Sequence, residues 1–130
     1  TRRTVDHESF MQCFSKRKPK SVWSKINKEH VARLKKAGLM TKAGLAAIAI
    51  AKENGHWGIL DEVEELTIPK DLEKEFKAHK GSKAFFMSLS KSVRKGMLHW
   101  VVMAKRPETR QNRILEIAEL AAEHKKPKQF

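Results

Sequence analysis

Ala104-Lys-Arg-Pro-Glu-Thr-Arg-Gln-Asn-Arg-Ile-Leu-Glu-Ile-Ala-Glu-Leu-Ala121 decides how this chain folds. At about 100° per residue, Ile114, Ile117 and Ala121 form one apolar stripe, while Glu108, Asn112, Glu116 and Glu119 take the opposite side. Pro107 stands where a first helical turn tolerates proline, so the spacing predicts a helix from Pro107 to about His124. Arg106, Arg110 and Arg113 continue the apolar meridian towards the start of that helix. A guanidinium on the buried side needs a carboxylate, phosphate or carbonyl beside it. These three are therefore candidate anion-binding residues, or they pair internally with Asp61, Glu62, Glu64 or Glu65.

Upstream, the same signals recur. Ser21, Ser24 and Asn27 are successive N-cap candidates for a helix carrying Trp23, Ile26, Val31 and Leu34, stopped at Gly38. Thr41 caps a second helix that ends near Asn54-Gly55. Being apolar nearly all round, this second helix is expected to be the central buried one. Leu60, Val63 and Leu66 anchor an acidic belt. Leu72 and Phe76 mark a short helix closed by Gly81; Ser82 and Ser90 are read as caps of two more, the second with Val93, Met97, Trp100 and Val101 on one stripe. The reading is a mostly α, single-domain bundle of five or six helices over residues 1–130. It has a basic arm and one short strand within residues 1–20, and a fraying tail at 125–130. Trp57 and Trp100 are assigned to the core.

The chain has 28 Lys and Arg against 15 Asp and Glu, a formal net charge of +13. The charge is uneven: +9 over residues 1–60, −3 over 61–80 and +7 over 81–130. Such a balance favours a polyanion or acidic protein as partner, with nucleic acid as one case. A single cysteine, Cys13, offers neither an internal disulfide nor a thiolate metal site, which suits a reducing cytoplasm. No apolar run reaches the roughly 20 residues of a membrane span. No metal site and no cofactor are expected, because no phosphate-cradling glycine loop, paired-histidine helix, serine elbow or Cys/His zinc pattern occurs. Asp6, Asp61 and Asp71 fall in unrelated segments, so an enzyme is not the expected class.

A second binding candidate is Phe14-Ser-Lys-Arg-Lys-Pro-Lys-Ser-Val-Trp-Ser-Lys-Ile-Asn27, where Lys16, Arg17, Lys18 and Lys20 form a basic turn interleaved with aromatics. That pattern can grip phosphate and stack a base. Trp23 also shares a helical face with Ile26, which makes it a core residue in the alternative. A helix-turn-helix reading is disfavoured, since the residues between Lys42 and Lys52 are only Ala, Gly, Leu and Ile and include no base reader.

Several stretches together resemble the YdeI/OmpD-associated, or bacteriocin-protection, family. They are Lys18-Pro-Lys-Ser-Val-Trp-Ser-Lys-Ile-Asn27, Gly38-Leu-Met-Thr-Lys-Ala-Gly-Leu45, Ala51-Lys-Glu-Asn-Gly-His-Trp57, Leu60-Asp-Glu-Val63, Ala84-Phe-Phe86 and Ala104-Lys-Arg-Pro-Glu-Thr-Arg110, in order over residues 6–127. The resemblance implies a bacterial, cytoplasmic, mostly helical protein tied to bacteriocin or stress resistance, with no catalytic residues or cofactor to carry over. It also implies that members carry a further segment before the position of Arg2 and Arg3. Trp23, Asn27, Gly44, Trp57, Arg106, Pro107, Thr109 and Arg110 are the shared positions, candidates for a binding surface and equally for caps and core.

Overall fold

The computed structural model describes residues 1–130. Two three-residue strands open the chain, β1 (Arg2–Thr4) and β2 (Phe10–Gln12), paired antiparallel with Arg3 opposite Met11. The expected single strand is thus half of a hairpin, and the basic arm is its other half. Asp6 shapes the connection: its carboxylate accepts from the Glu8 and Ser9 N–H groups at 2.9 and 2.8 Å, a turn a short acidic side chain makes by local hydrogen bonding. Every residue of both strands is exposed.

Seven helices follow: α1 (Lys25–Lys36), α2 (Lys42–Glu53), α3 (Asp61–Glu64), α4 (Lys70–Ala78), α5 (Ser82–Ser88), α6 (Lys91–Val102) and α7 (Pro107–Ala122). Their starts are written locally. Ser24 and Asn27 exchange hydrogen bonds as a capping box on α1, Thr41 Oγ1 accepts from Gly44 on α2, and Ser90 Oγ from Val93 on α6. Ser82 is not a cap. It lies inside α5, fully buried, and its hydroxyl donates back to the carbonyls of His79 and Phe76. Helix α7 stops two residues before His124, which adopts φ 56°, a left-handed conformation that ends a helix.

Two apolar clusters result. The larger joins eleven buried residues of 60–118, among them Leu72, Phe86, Met97, Leu98, Ile114 and Ile117, with α7 packed against α4, α5 and α6. The smaller has four, Trp23, Val31, Ile48 and Ala51. This overturns the expectation that α2 is central. Only Ile48 and Ala51 of α2 are buried, while Leu45 and Ile50 are 43% and 42% exposed. The reason is area: α2 is apolar largely through alanine, whereas α4 to α7 bring Leu, Ile, Phe and Met, which remove far more surface from water per residue.

The tail, expected to fray, folds back onto the helices. Pro127 is buried and Phe130 stacks edge-on to Trp100, its ring 5.9 Å away. Gly96 makes the room, since a Cβ there would sit 3.0 Å from the Phe130 ring. Trp100 is half-buried rather than a core residue, and so is Trp57, which packs at the edge of the smaller cluster 5.1 Å from Trp23.

The two clusters meet along a polar seam. Glu64, on α3, accepts from Lys95 Nζ at 2.5 Å and from the Lys25 N–H at 3.3 Å, so one carboxylate ties the start of α1 to α6. Lys28 pairs with Asp61 beside it, and half-buried Val22 packs onto the larger cluster. The Lys95 ammonium holds the Glu64 carboxyl below its usual pKa, against the opposing effect of desolvation.

Candidate functional site: a cationic rim over an apolar groove

The two arginine-rich candidates separate in three dimensions. Arg110 reaches Asp71 with its fork, Nε to Oδ2 at 2.6 Å and Nη2 to Oδ1 at 3.0 Å. This bidentate pair holds the Asp71 carboxyl below its usual pKa. Asp71 therefore replaces Asp61, Glu62, Glu64 and Glu65 as the internal partner; those belong to the seam or its flanks. Arg113 donates to the Trp100 carbonyl at 2.5 Å and lies over the Trp100 ring, 4.9 Å from its centre. Arg106 is exposed instead of lying on the buried meridian. As the residue before the helix it has extended backbone, φ −113° and ψ 142°, so the helical projection does not apply to it. What looks in projection like one basic cluster is two structural guanidiniums and one solvent-facing one.

The basic turn is organised differently. Residues 16–19 run along the open side of α1 and α2, held there by the Asn54 side-chain amide, which donates to the Pro19 carbonyl at 2.8 Å. Arg17 spreads over the Trp23 ring at 3.9 Å and donates from Nη1 to the Val22 carbonyl at 3.1 Å. Lys16, Lys18 and Lys20 enter none of the protein's ion pairs.

Beneath Lys16, Arg17, Lys18 and Pro19 lies a groove of about 850 Å³. Its inner end is Trp23, Val31 and Ile48; Met40 and the Ala43, Ala46, Ala47 and Ile50 stripe of α2 form the long wall. No hydroxyl, amide or carboxylate side chain lines it. Asn27 is spent on the α1 cap and Trp57 sits behind Trp23, flanked by Lys28 and Lys52, so neither of these candidates lines the groove. Met40 and the α2 stripe are the residues that sequence reasoning misses. Their signal is the all-round apolar character of α2, which in sequence points equally to burial.

Elsewhere the surface offers less. A shallow depression of about 440 Å³ along α7 is lined by Leu115, Leu120, Asn112 and three glutamates, Glu116, Glu119 and Glu123. No three His, Cys, Asp or Glu side chains converge as metal ligands, and no helix is long and apolar enough to cross a membrane.

Comparison with known families finds two matches, one on each side of residues 48–64. A domain of unknown function, DUF8412, matches residues 1–47, which include the hairpin, the basic turn and most of the groove. No curated protein and no solved structure matches the chain. The family described as bacteriocin-protection, YdeI or OmpD-associated, matches residues 65–124, the span of α4 to α7 and the Asp71–Arg110 pair. Over those residues the chain is similar to the YdeI/OmpD-associated, bacteriocin-protection family.

Proposed function

We propose that this is a non-enzymatic, cytoplasmic bacteriocin-protection or stress protein. In this reading it is one domain that binds an anionic partner at the basic turn of Lys16, Arg17, Lys18 and Lys20. The observation that carries the proposal is the contrast in pairing. Arg110 and Arg113 are consumed by Asp71 and the Trp100 carbonyl, whereas Lys16, Lys18 and Lys20 have no protein counter-ion, and Lys16 and Lys18 line the edge of an apolar groove. Unpaired cations clustered on a chain of net charge +13 attract anions at long range. The same charge opposes sequestration of a cationic bacteriocin, so protection is read as acting through an anionic cellular component.

Nucleic acid is the second reading, favoured by the cation–aromatic pairs of Arg2 over Phe10 at 3.7 Å and Arg17 over Trp23. Titrating the protein with heparin and with a mixed-sequence oligonucleotide at two salt concentrations tests both. Salt-sensitive binding of heparin, lost in the Lys16→Ala/Lys18→Ala/Lys20→Ala variant at unchanged melting temperature, is the expected result. Absence of any salt-sensitive binding overturns the proposal, and oligonucleotide binding that far exceeds heparin binding selects the second reading.

A further inference from the structure

We infer that the groove beneath the basic turn binds a free amphiphile with a single anionic headgroup, its chain lying against Trp23, Met40 and the Ala43–Ile50 face of α2. The inference rests on the reading of the turn as an anion site and adds what lies under it. A groove of about 850 Å³ falls within the range of small-molecule sites. Its chemistry is sharply divided: cations occupy one edge and hydrocarbon the remainder, with no side-chain hydroxyl, amide or carboxylate among the lining residues. A sugar or a nucleobase would bury its polar edges there without partners, at a cost of the order of 1–3 kcal/mol for each unsatisfied group. An inorganic anion would leave the hydrocarbon wall in water. A ligand with an apolar body and one charged end satisfies both halves.

Two features prepare the site. Arg17 is already fixed by the Trp23 ring and the Val22 carbonyl, and its remaining N–H groups make no hydrogen bond within the protein, so a headgroup meets a guanidinium that loses little freedom on binding. Met40 is half-buried and unbranched, able to reshape the wall around chains of different length. The exposed positions on α2 that line the groove, Ala43, Ala46 and Ile50, are separate from the buried Ile48 and Ala51 that hold the helix in place.

The test is a chain-length series read by tryptophan fluorescence and calorimetry on the intact chain: butanoate, octanoate, decanoate and dodecanoate below micelle formation, with dodecanol, heparin and anionic phosphatidylglycerol vesicles alongside. Saturable binding at one per chain is expected, tightening about tenfold for each added pair of carbons until the groove is full. Dodecanol should bind at least tenfold more weakly than dodecanoate. Ala46→Phe, which fills the groove from an exposed position, should weaken dodecanoate at least tenfold while leaving heparin binding unchanged; Lys16→Glu/Lys18→Glu should weaken both. Heparin binding with no dependence on chain length overturns the amphiphile and leaves the anion site standing. Binding of neither overturns both, and binding of vesicles without monomeric dodecanoate shows a lipid surface rather than a free amphiphile. The series on the unmodified chain decides the matter even if Ala46→Phe fails to fold.

Discussion

Residues 60–130, with five helices, and residues 1–57, with two, put their apolar side chains to very different effect. In the C-terminal region eleven side chains form one buried cluster around α7, closed by the Asp71–Arg110 fork and by Phe130 on Trp100. In the N-terminal region, α1 and α2, each of twelve residues, bury four side chains with their flanks and leave a groove open, and the hairpin buries nothing. Side-chain size is part of the difference: α2 is apolar largely through alanine, whereas α4 to α7 bring Leu, Ile, Phe and Met. It shows that a helix can be uniformly apolar and still lie at the edge of a fold when its neighbours offer larger side chains to the core. It also sets the firmly packed region apart from the open one. The region that carries the bacteriocin-protection match is the packed one; the open groove lies almost wholly in the region that matches another family.

That contrast is sharpened first by core truncation. Phe86→Ala, at 1% exposure in the larger cluster, should cost about 3–5 kcal/mol in global stability by urea unfolding. Ile48→Ala, as deeply buried but in a cluster of four, should cost about 1–3 kcal/mol, because its surroundings open to solvent with little else to lose. If Ile48→Ala proves as damaging as Phe86→Ala, the two regions do not differ as described.

The arginines give the next comparison. Arg110→Ala should lower stability by about 1–2 kcal/mol, at the modest end for a broken bidentate pair, since Asp71 is 40% exposed and water can replace some of the lost contact. Arg106→Ala should stay within about 0.5 kcal/mol, as expected for a solvent-facing residue with no ion pair. Equal effects in the two melts would contradict the separation of structural from exposed guanidiniums.

The smallest effect concerns acid. The folded-state carboxyls of Glu64 and Asp71 lie below their ordinary values of 4.5 and 3.8, lowered chiefly by Lys95 and Arg110. As pH falls through this range the unfolded chain takes up protons before the folded one does. The stability these groups contribute is thus fully present above about pH 5 and drains away as pH drops through the lowered folded values. Melting temperature against pH should therefore be flat near neutrality and fall below about pH 4.5. Glu64→Gln should shallow that fall and, by removing the seam carboxylate, loosen α1 more than α7.

Much of this is legible in the residues. Ser24, Thr41, Ser90 and Pro107 mark helix starts, and Gly38, Gly55 and Gly81, with φ of 69°, 77° and 83°, mark stops, because caps and left-handed turns depend on a few neighbouring residues. The basic turn is visible too. What escapes depends on distant partners. Asp71 and Arg110 are 39 residues apart, and Pro19 is held to Asn54 across 35. The side chains of α2 look the same in sequence whether they face a core or a groove. Trp57 and Trp100 carry the same ambiguity, each large enough to be half in a cluster and half in water.

Native-state amide hydrogen exchange tests the division between the two regions most directly. Amides of α6 and α7 should exchange only through global unfolding, while those of α1 and α2 should open through a separate, lower-energy transition that becomes lower still in Glu64→Gln. Equal protection of all four helices, each responding to urea with the full unfolding slope, would mean that the chain is one cooperative unit and would contradict the account.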